Sequence, residues 1–170
     1  MTGRLDVLAA AVVKNYLERG RTAALAESCT GGMIASAVTD IAGASEIFLG
    51  SAVTYANSAK ENILGVSPET LASDGAVSEK CAKEMAEGAR RIFGADTAVS
   101  VTGIAGPGGG SPQKPVGTVW FGYSSEKEAC AFCKIFEGDR DEVRRQTAEL
   151  ALITLLEKLD SGTPQKEGRE

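Results

Sequence analysis

Apolar residues recur at helical spacing from the first turns of the chain. Leu5, Leu8, Val12, Tyr16 and Leu17 fall on one face and Gly20 follows as a C-terminal stop, which predicts an amphipathic helix over 4–19. The period then changes. Thr22 to Ala26 is a short apolar run suited to a buried strand, and Gly31 to Thr39 reads as a second helix whose small residues permit close packing. Past a loop from Asp40 to Ser45, residues 47–55 are apolar and β-prone enough for a strand despite Gly50 in their middle. Asn57 is positioned to cap a helix that carries Lys60 and ends at Gly65.

Ser67-Pro68 is a second helix start, with proline at the first helical position, and Ser78 opens a longer helix to about Phe93. Asp96 to Thr102 is a strand, followed by a glycine- and proline-rich segment from Gly103 to Pro115. Strong strand signals resume at once over 116–123 and 129–136, so that segment is a loop within the fold, and the short gap between the two strands predicts an antiparallel hairpin. Asp139 with Glu142 makes a capping-box-like start for a helix to about Leu159, and from Ser161 the chain is polar and expected to be disordered. Helix, strand, helix, strand, helices, strand, hairpin, helix is the order of an α/β fold. It predicts a three-layer α/β/α sandwich around a mixed sheet, forming one domain over 1–160.

At 170 residues, 43% apolar and 24% charged, the chain is large enough to bury a core without disulfides or metal. A net charge of -5 with both signs interspersed argues against a nucleic-acid surface, whose affinity rests on neutralising phosphates. No apolar run approaches the roughly 18 residues of a membrane span, and the N-terminus lacks the pattern of a secretion signal. A cytoplasmic protein without a membrane partner is expected. Cys130 and Cys133 form a CxxC, but inside an alternating apolar stretch. The chain has no histidine, and only Cys29 and Cys81 are left to complete a zinc site. Reduced core cysteines and no metal are the expectation.

The absence of histidine bears directly on the candidate chemistry. Ala26-Glu27-Ser28-Cys29-Thr30-Gly31-Gly32 lies where an apolar strand turns into a helix, a position that suits an exposed nucleophile. Ser28 there has its oxygen near a helix N-terminus, where unpaired N–H groups stabilise developing negative charge. A nucleophilic serine then needs a base other than imidazole, and lysine is the leading candidate because a buried ammonium loses its proton near neutral pH while arginine does not. The plain alternative is that Ser28 or Thr30 caps the helix. Tyr55 and Lys60 flank a strand-to-helix junction, so both polar tips can point to the same sheet edge as Ser28. An exposed lysine on a helix face is the alternative there. Thr102-Gly103-Ile104-Ala105-Gly106-Pro107 and the glycines after it offer N–H groups to phosphate or carboxylate, or form a flexible lid. Arg140, Arg144 and Arg145 place guanidinium forks early in the last helix, suited to phosphate or to surface ion pairs.

Taken together these segments resemble a family. Ala26 to Gly32, Thr54-Tyr55 with Asn57 and Lys60, Gly75 to Glu79, Gly103 to Pro107, Lys114 to Trp120, and Gly138-Asp139-Arg140 continuing to Gln146 closely resemble, in order, the CinA C-terminal domain family, the nicotinamide mononucleotide deamidases. The loop after Pro107 is unusually rich in glycine. The larger family protein carries an additional N-terminal domain, so the chain is similar to the stand-alone form. The resemblance implies hydrolysis of the carboxamide of nicotinamide mononucleotide in pyridine nucleotide salvage, without cofactor or metal, by a homo-oligomer. Carried onto this chain, it implies Ser28 as nucleophile, Lys60 as general base and Tyr55 as the residue that holds or relays the proton. Thr30, Gly31 and Gly32 then offer N–H groups to the oxyanion, and Thr102, Gly103 and Arg140 hold the nucleotide. The competing expectation is a non-catalytic nucleotide-binding regulatory module associated with competence or DNA damage.

Overall fold

A computed structural model describes residues 3–161. The chain runs α1 (Arg4–Arg19), β1 (Ala23–Glu27), α2 (Met33–Thr39), a 3₁₀ turn (Ala44–Glu46), β2 (Phe48–Val53), α3 (Asn57–Leu64), α4 (Pro68–Ser73), α5 (Glu79–Phe93), β3 (Thr97–Gly103), β4 (Thr118–Ser125), β5 (Ala129–Ile135) and α6 (Arg140–Ser161). The strands form one mixed sheet in the order β2-β1-β3-β4-β5. β1 pairs in parallel with both β2 and β3, while β3–β4 and β4–β5 are antiparallel, so the expected hairpin and mixed sheet are both present.

Two hydrophobic clusters cover the two faces of the sheet. On one, Leu25, Val99, Val101, Val119 and Phe121 meet Val12 and Tyr16 of α1, Ile34 of α2 and Leu152 and Leu155 of α6. On the other, Ala24, Ala26, Ala52 and Ala98 meet Leu64 of α3 and Cys81, Met85 and Ala89 of α5. The period-two alternation of the strands therefore sorts bulky residues to the α1/α2/α6 side and alanines to the α5 side. Small strand residues draw α5 close. A Cβ on Gly122 of β4 would collide with the Ala82 carbonyl, and one on Gly88 of α5 would collide with the Leu64 carbonyl at the end of α3.

Several expected signals act as read. Gly20 ends α1 in the left-handed conformation. Ser67 accepts from Thr70 N–H with Pro68 in the first turn, and Ser78 accepts from Cys81 N–H. Asp139 and Glu142 bond each other's backbone N–H at 2.9 and 2.8 Å, a complete capping box for α6. Other boundaries shift. Asn57 is the first residue of α3, and Ala56 holds the cap position without a side-chain bond. β2 stops at Val53 because, after Thr54 N–H donates to the Glu27 carbonyl, the chain leaves the ladder and crosses the sheet edge into α3. α2 begins only at Met33, since Gly31 and Gly32 adopt positive φ of 61° and 97° and turn the chain before helix can start. α6 includes Ser161, and the rest of the expected tail, 162–170, lies outside the described residues. Of the four free cysteines only Cys29 and Cys81 are buried; Cys130 and Cys133 are half-buried on β5, where a spacing of three points them to opposite faces.

The contact between α5 and α3 makes a test. Alanine favours helix over glycine by about 1 kcal/mol in an exposed position. Gly88→Ala is nevertheless expected to destabilise the domain by about 1–3 kcal/mol, because backbone rather than a flexible side chain blocks the new methyl. Urea unfolding of the variant beside the unaltered chain measures the difference.

Candidate active site

The carboxyl ends of β1 and β3, the start of α3 and the start of α6 converge on one edge of the sheet. Alternation along β1 decides which side each neighbour serves. Leu25 and Glu27 face α2, whereas Ala26 and Ser28 face the α3/α5 side. Ser28 prolongs the ladder by donating its N–H to the Val101 carbonyl of β3 at 3.1 Å. It is 8% exposed, so the expected exposed position of this serine is corrected to a buried one.

Lys60, one turn into α3, meets Ser28 from across that edge. Its Nζ lies 2.9 Å from Ser28 Oγ, 2.7 Å from the Thr54 carbonyl and 3.3 Å from the Tyr55 carbonyl. None of these partners is an acid. Lys60 is only 1% exposed. Burial holds its pKa below the ordinary lysine value, against the opposing influence of the Cys81 and Cys29 thiols. Those thiols are themselves pushed up to about 11, chiefly by burial, so around neutral pH both stay protonated.

Glu27, fully buried beside Ser28, takes no cation as partner among the described residues. A carboxylate so placed must collect donors. Its Oε2 accepts from Thr30 Oγ1 at 2.6 Å, Gly32 N–H at 3.0 Å and Ile34 N–H at 3.2 Å, and its Oε1 from Ala35 N–H at 2.9 Å and Ser51 Oγ at 3.3 Å. The N-terminus of α2, which the sequence offers to a ligand, is thus closed by the protein's own carboxylate, the charge that the helix dipole favours there. Two of the three expected oxyanion donors are engaged as well: Gly32 donates to Glu27, and Gly31 to the Ser28 carbonyl at 3.1 Å. Thr30 lends its hydroxyl to Glu27 but keeps an N–H with no oxygen acceptor among the described residues.

The remaining expected residues separate. Tyr55 gives Lys60 its main-chain carbonyl; the ring is exposed, and its hydroxyl meets Arg140 Nη2 at 3.3 Å instead. Arg140 also donates to the Gly106 carbonyl at 2.7 Å, tying α6 to the glycine-rich loop. That loop is pinned rather than free, since Lys114 Nζ donates to the Asp74 carbonyl at 2.8 Å. Thr102 lies beside Ser28 on the neighbouring strand, and its buried hydroxyl donates to the Ala76 carbonyl at 2.8 Å. Gly103 is required for packing, because a Cβ there would press on the Thr118 carbonyl and on Val119. Arg145 pairs with Glu149 at 3.1 Å, away from this edge, while Arg144 reaches back to the Cys29 carbonyl at 3.1 Å and the Thr30 carbonyl at 3.0 Å. Glu27 was given no role by the sequence, and Arg144 was expected only as one of three arginines suited to phosphate or to surface ion pairs, not as a partner of the turn after Ser28. A glutamate ending an otherwise apolar strand is a usable signal for the first; spacing alone does not separate Arg144 from its neighbours.

Fold and site together define an α/β domain with a buried serine–lysine contact at the carboxyl edge of its parallel strands. The chain belongs to the CinA C-terminal domain family, which matches residues 5–159. It is 52% identical over 146 residues to "Nicotinamide-nucleotide amidohydrolase PncC" of Escherichia coli (strain K12), covering 85% of this chain and 88% of that protein. It is 49% identical over 144 residues to the "CinA-like protein" of Thermotoga maritima, covering 85% of this chain but 35% of the relative, so the chain spans about a third of the length of such relatives. Among solved structures, competence damage-inducible protein A (ComA) from Klebsiella pneumoniae superposes with a TM-score of 0.90 at 38% identity, covering 94% of this chain and 99% of that one. Competence/damage inducible protein CihA from Agrobacterium tumefaciens superposes with a TM-score of 0.88 at 42% identity, covering 93% and 96%.

Removing the Glu27 carboxylate leaves three amides and two hydroxyls without their acceptor. Glu27→Ala is expected to lose on the order of 3 kcal/mol or more of stability, and Glu27→Gln, which keeps one oxygen, less. Denaturant midpoints of the two variants rank the effect.

Proposed function

We propose that this chain hydrolyses the carboxamide of nicotinamide mononucleotide to nicotinate mononucleotide and ammonia, with Ser28 as nucleophile and Lys60 as its general base. The observation that carries the reading is the 2.9 Å contact between Lys60 Nζ and Ser28 Oγ, made by an amine whose other partners are both carbonyls. A non-catalytic binding module has no use for that contact. The choice of substrate rests on the likeness to the nicotinamide-nucleotide amidohydrolase PncC relatives.

Counting hydrogens supports the assignment. A neutral amine has two N–H donors and one lone pair. The Thr54 and Tyr55 carbonyls carry no proton and take both donors, which leaves the lone pair facing the Ser28 hydroxyl. Ser28 then donates to Lys60, the arrangement a general base requires. As Oγ attacks the carboxamide carbon, its proton passes to Nζ; the amine returns a proton to the departing nitrogen, and ammonia leaves an acyl-serine. Water, deprotonated by the same amine, cleaves that ester and restores Ser28. Every step uses the chain's own side chains, and no metal or cofactor is required. Arg140, on the rim between the Tyr55 hydroxyl and the Gly106 carbonyl, is the proposed phosphate ligand, with Thr102 and Gly103 bordering the same edge. Tyr55 acts through its carbonyl on Lys60 and through its hydroxyl on Arg140.

Purified protein should release ammonia from nicotinamide mononucleotide in the presence of a chelator at the rate seen without it. Ser28→Ala and Lys60→Met should each lower kcat on the order of 10³-fold or more while substrate binding by calorimetry persists. Undiminished turnover in Ser28→Ala would sink the reading. Since the base must be uncharged, kcat/KM should fall as pH drops through the lowered pKa of Lys60. The sign for stability follows from the same shift. Between the folded pKa and the ordinary value of 10.5 the unfolded lysine holds a proton that the folded one has released, so stability rises with pH across that window. Lys60→Met should remove that rise, read as the difference between the two unfolding free energies over pH.

A further inference from the structure

Acyl transfer needs hydrogen-bond donors for the oxygen that becomes negative, as well as an activated nucleophile. With Gly31 and Gly32 engaged inside the turn, the question is which amides remain. The answer lies with the carbonyls, because the C=O and N–H of one trans peptide point in opposite directions. The single cis bond among the described residues is at Gly106-Pro107, so the peptides of this turn are trans. The carbonyl of Ser28 is held by Gly31 N–H at 3.1 Å, and that of Cys29 by Arg144 Nε at 3.1 Å. The opposite ends of those two peptides are the N–H groups of Cys29 and Thr30. They are consecutive, they immediately follow the nucleophile, and neither has an oxygen acceptor among the described residues.

We propose that Arg144 is a positioning residue for this reaction: by gripping the Cys29 and Thr30 carbonyls it turns the Thr30 N–H, beside that of Cys29, toward the oxyanion formed when Ser28 attacks. The assignment rests on the serine–lysine reading above and moves the oxyanion donors one residue back, from Thr30, Gly31 and Gly32 to Cys29 and Thr30.

The geometry suits arginine in particular. Nε and Nη2 lie on one edge of a rigid planar fork, and they meet two successive carbonyls at 3.1 and 3.0 Å, a grip that the point charge of lysine does not reproduce. The Thr30 carbonyl also accepts from Met33 N–H at 3.2 Å, so the Thr30–Gly31 peptide, which bounds Thr30 on its other side, is fixed from two directions. The guanidinium on the Cys29 carbonyl polarises that peptide and strengthens the Thr30 N–H at its far end. Helical spacing distributes the work among three arginines of α6. Arg140 and Arg144, four apart, share the face turned to the site, whereas Arg145 lies a further 100° or so around the helix and pairs with Glu149. Among the described residues Arg144 itself donates to main chain alone, apart from a loose approach to Asp141 at 3.9 Å.

Steady-state kinetics on nicotinamide mononucleotide test the assignment with Arg144→Ala, Arg144→Lys, Arg145→Ala and Ser28→Ala side by side. Arg144→Ala should lose on the order of 100-fold in kcat with KM within about twofold of wild type, the split expected of a contact made only in the transition state. Added guanidinium ion should restore part of the turnover of Arg144→Ala and leave Arg145→Ala, which keeps the wild-type kcat, unchanged; a folding defect gives no such rescue. Arg144→Lys should keep KM with a reduced kcat, and it answers the question if the alanine variant does not fold. A kcat within about threefold of wild type in Arg144→Lys and Arg144→Ala, or a loss carried wholly by KM, overturns the assignment while a silent Ser28→Ala leaves the serine reading standing. Full turnover in Ser28→Ala overturns both.

Discussion

An amine buried without a countercharge is the constraint around which this site is built. Lys60 reaches the carboxyl edge of the sheet, and there it finds two carbonyls and a hydroxyl but no carboxylate. In water such a group is charged and well solvated; in this setting the charged form is the costly one. The same burial that makes Lys60 expensive to keep as an ammonium makes it available as an amine. The junction between β2 and α3 supplies the two carbonyls, so the path of the main chain from Thr54 to Ala56 is as much a part of the site as the side chains are.

A buried acid lies one residue from Ser28, and its separation from the amine is structural. Glu27 and Ser28 are neighbours in sequence, but the alternation of β1 sends one toward α2 and the other toward α3. If the carboxylate and the amine shared a side, they would form an ion pair, and the pair would hold Lys60 protonated. Instead Glu27 is satisfied by the amides of α2 and the hydroxyls of Thr30 and Ser51. The strand acts as a partition between a buried carboxylate and a buried amine. Arg144 adds a cation, directed at the carbonyls of the turn that follows Ser28 rather than at either group.

The fold supports this partition through unequal packing on its two faces. Alanines on the α5 side let α5 and α3 approach the sheet, and the near contact of Gly88 with the Leu64 carbonyl fixes the end of the helix that bears Lys60. Arg91 donates to that same carbonyl at 2.9 Å and completes the anchoring. The position of the amine is therefore held at both ends of α3: by the junction with β2 and by the contact with α5.

Much of this architecture is written locally. The period of apolar residues identifies the helices and strands, the glycines and capping residues mark most of their ends, and the order of elements leads to a mixed sheet between helical layers, because each of these properties depends on residues a few positions apart. Ser28 and Lys60 stand out as candidates for the same reason, each at a junction whose type the neighbouring residues declare, whereas only the family resemblance separates Arg140 from Arg144 and Arg145. Which groups meet across those junctions was decided by the tertiary structure alone. The Tyr55 side chain turns to Arg140 while its carbonyl serves Lys60, the amides of Gly31 and Gly32 are consumed within their own turn, and Glu27 and Arg144 enter the site. Hydrogen-bond partners across a sheet edge depend on register and on side-chain direction, and those are set by the packing of segments more than a hundred residues apart, as Arg144 and Cys29 are.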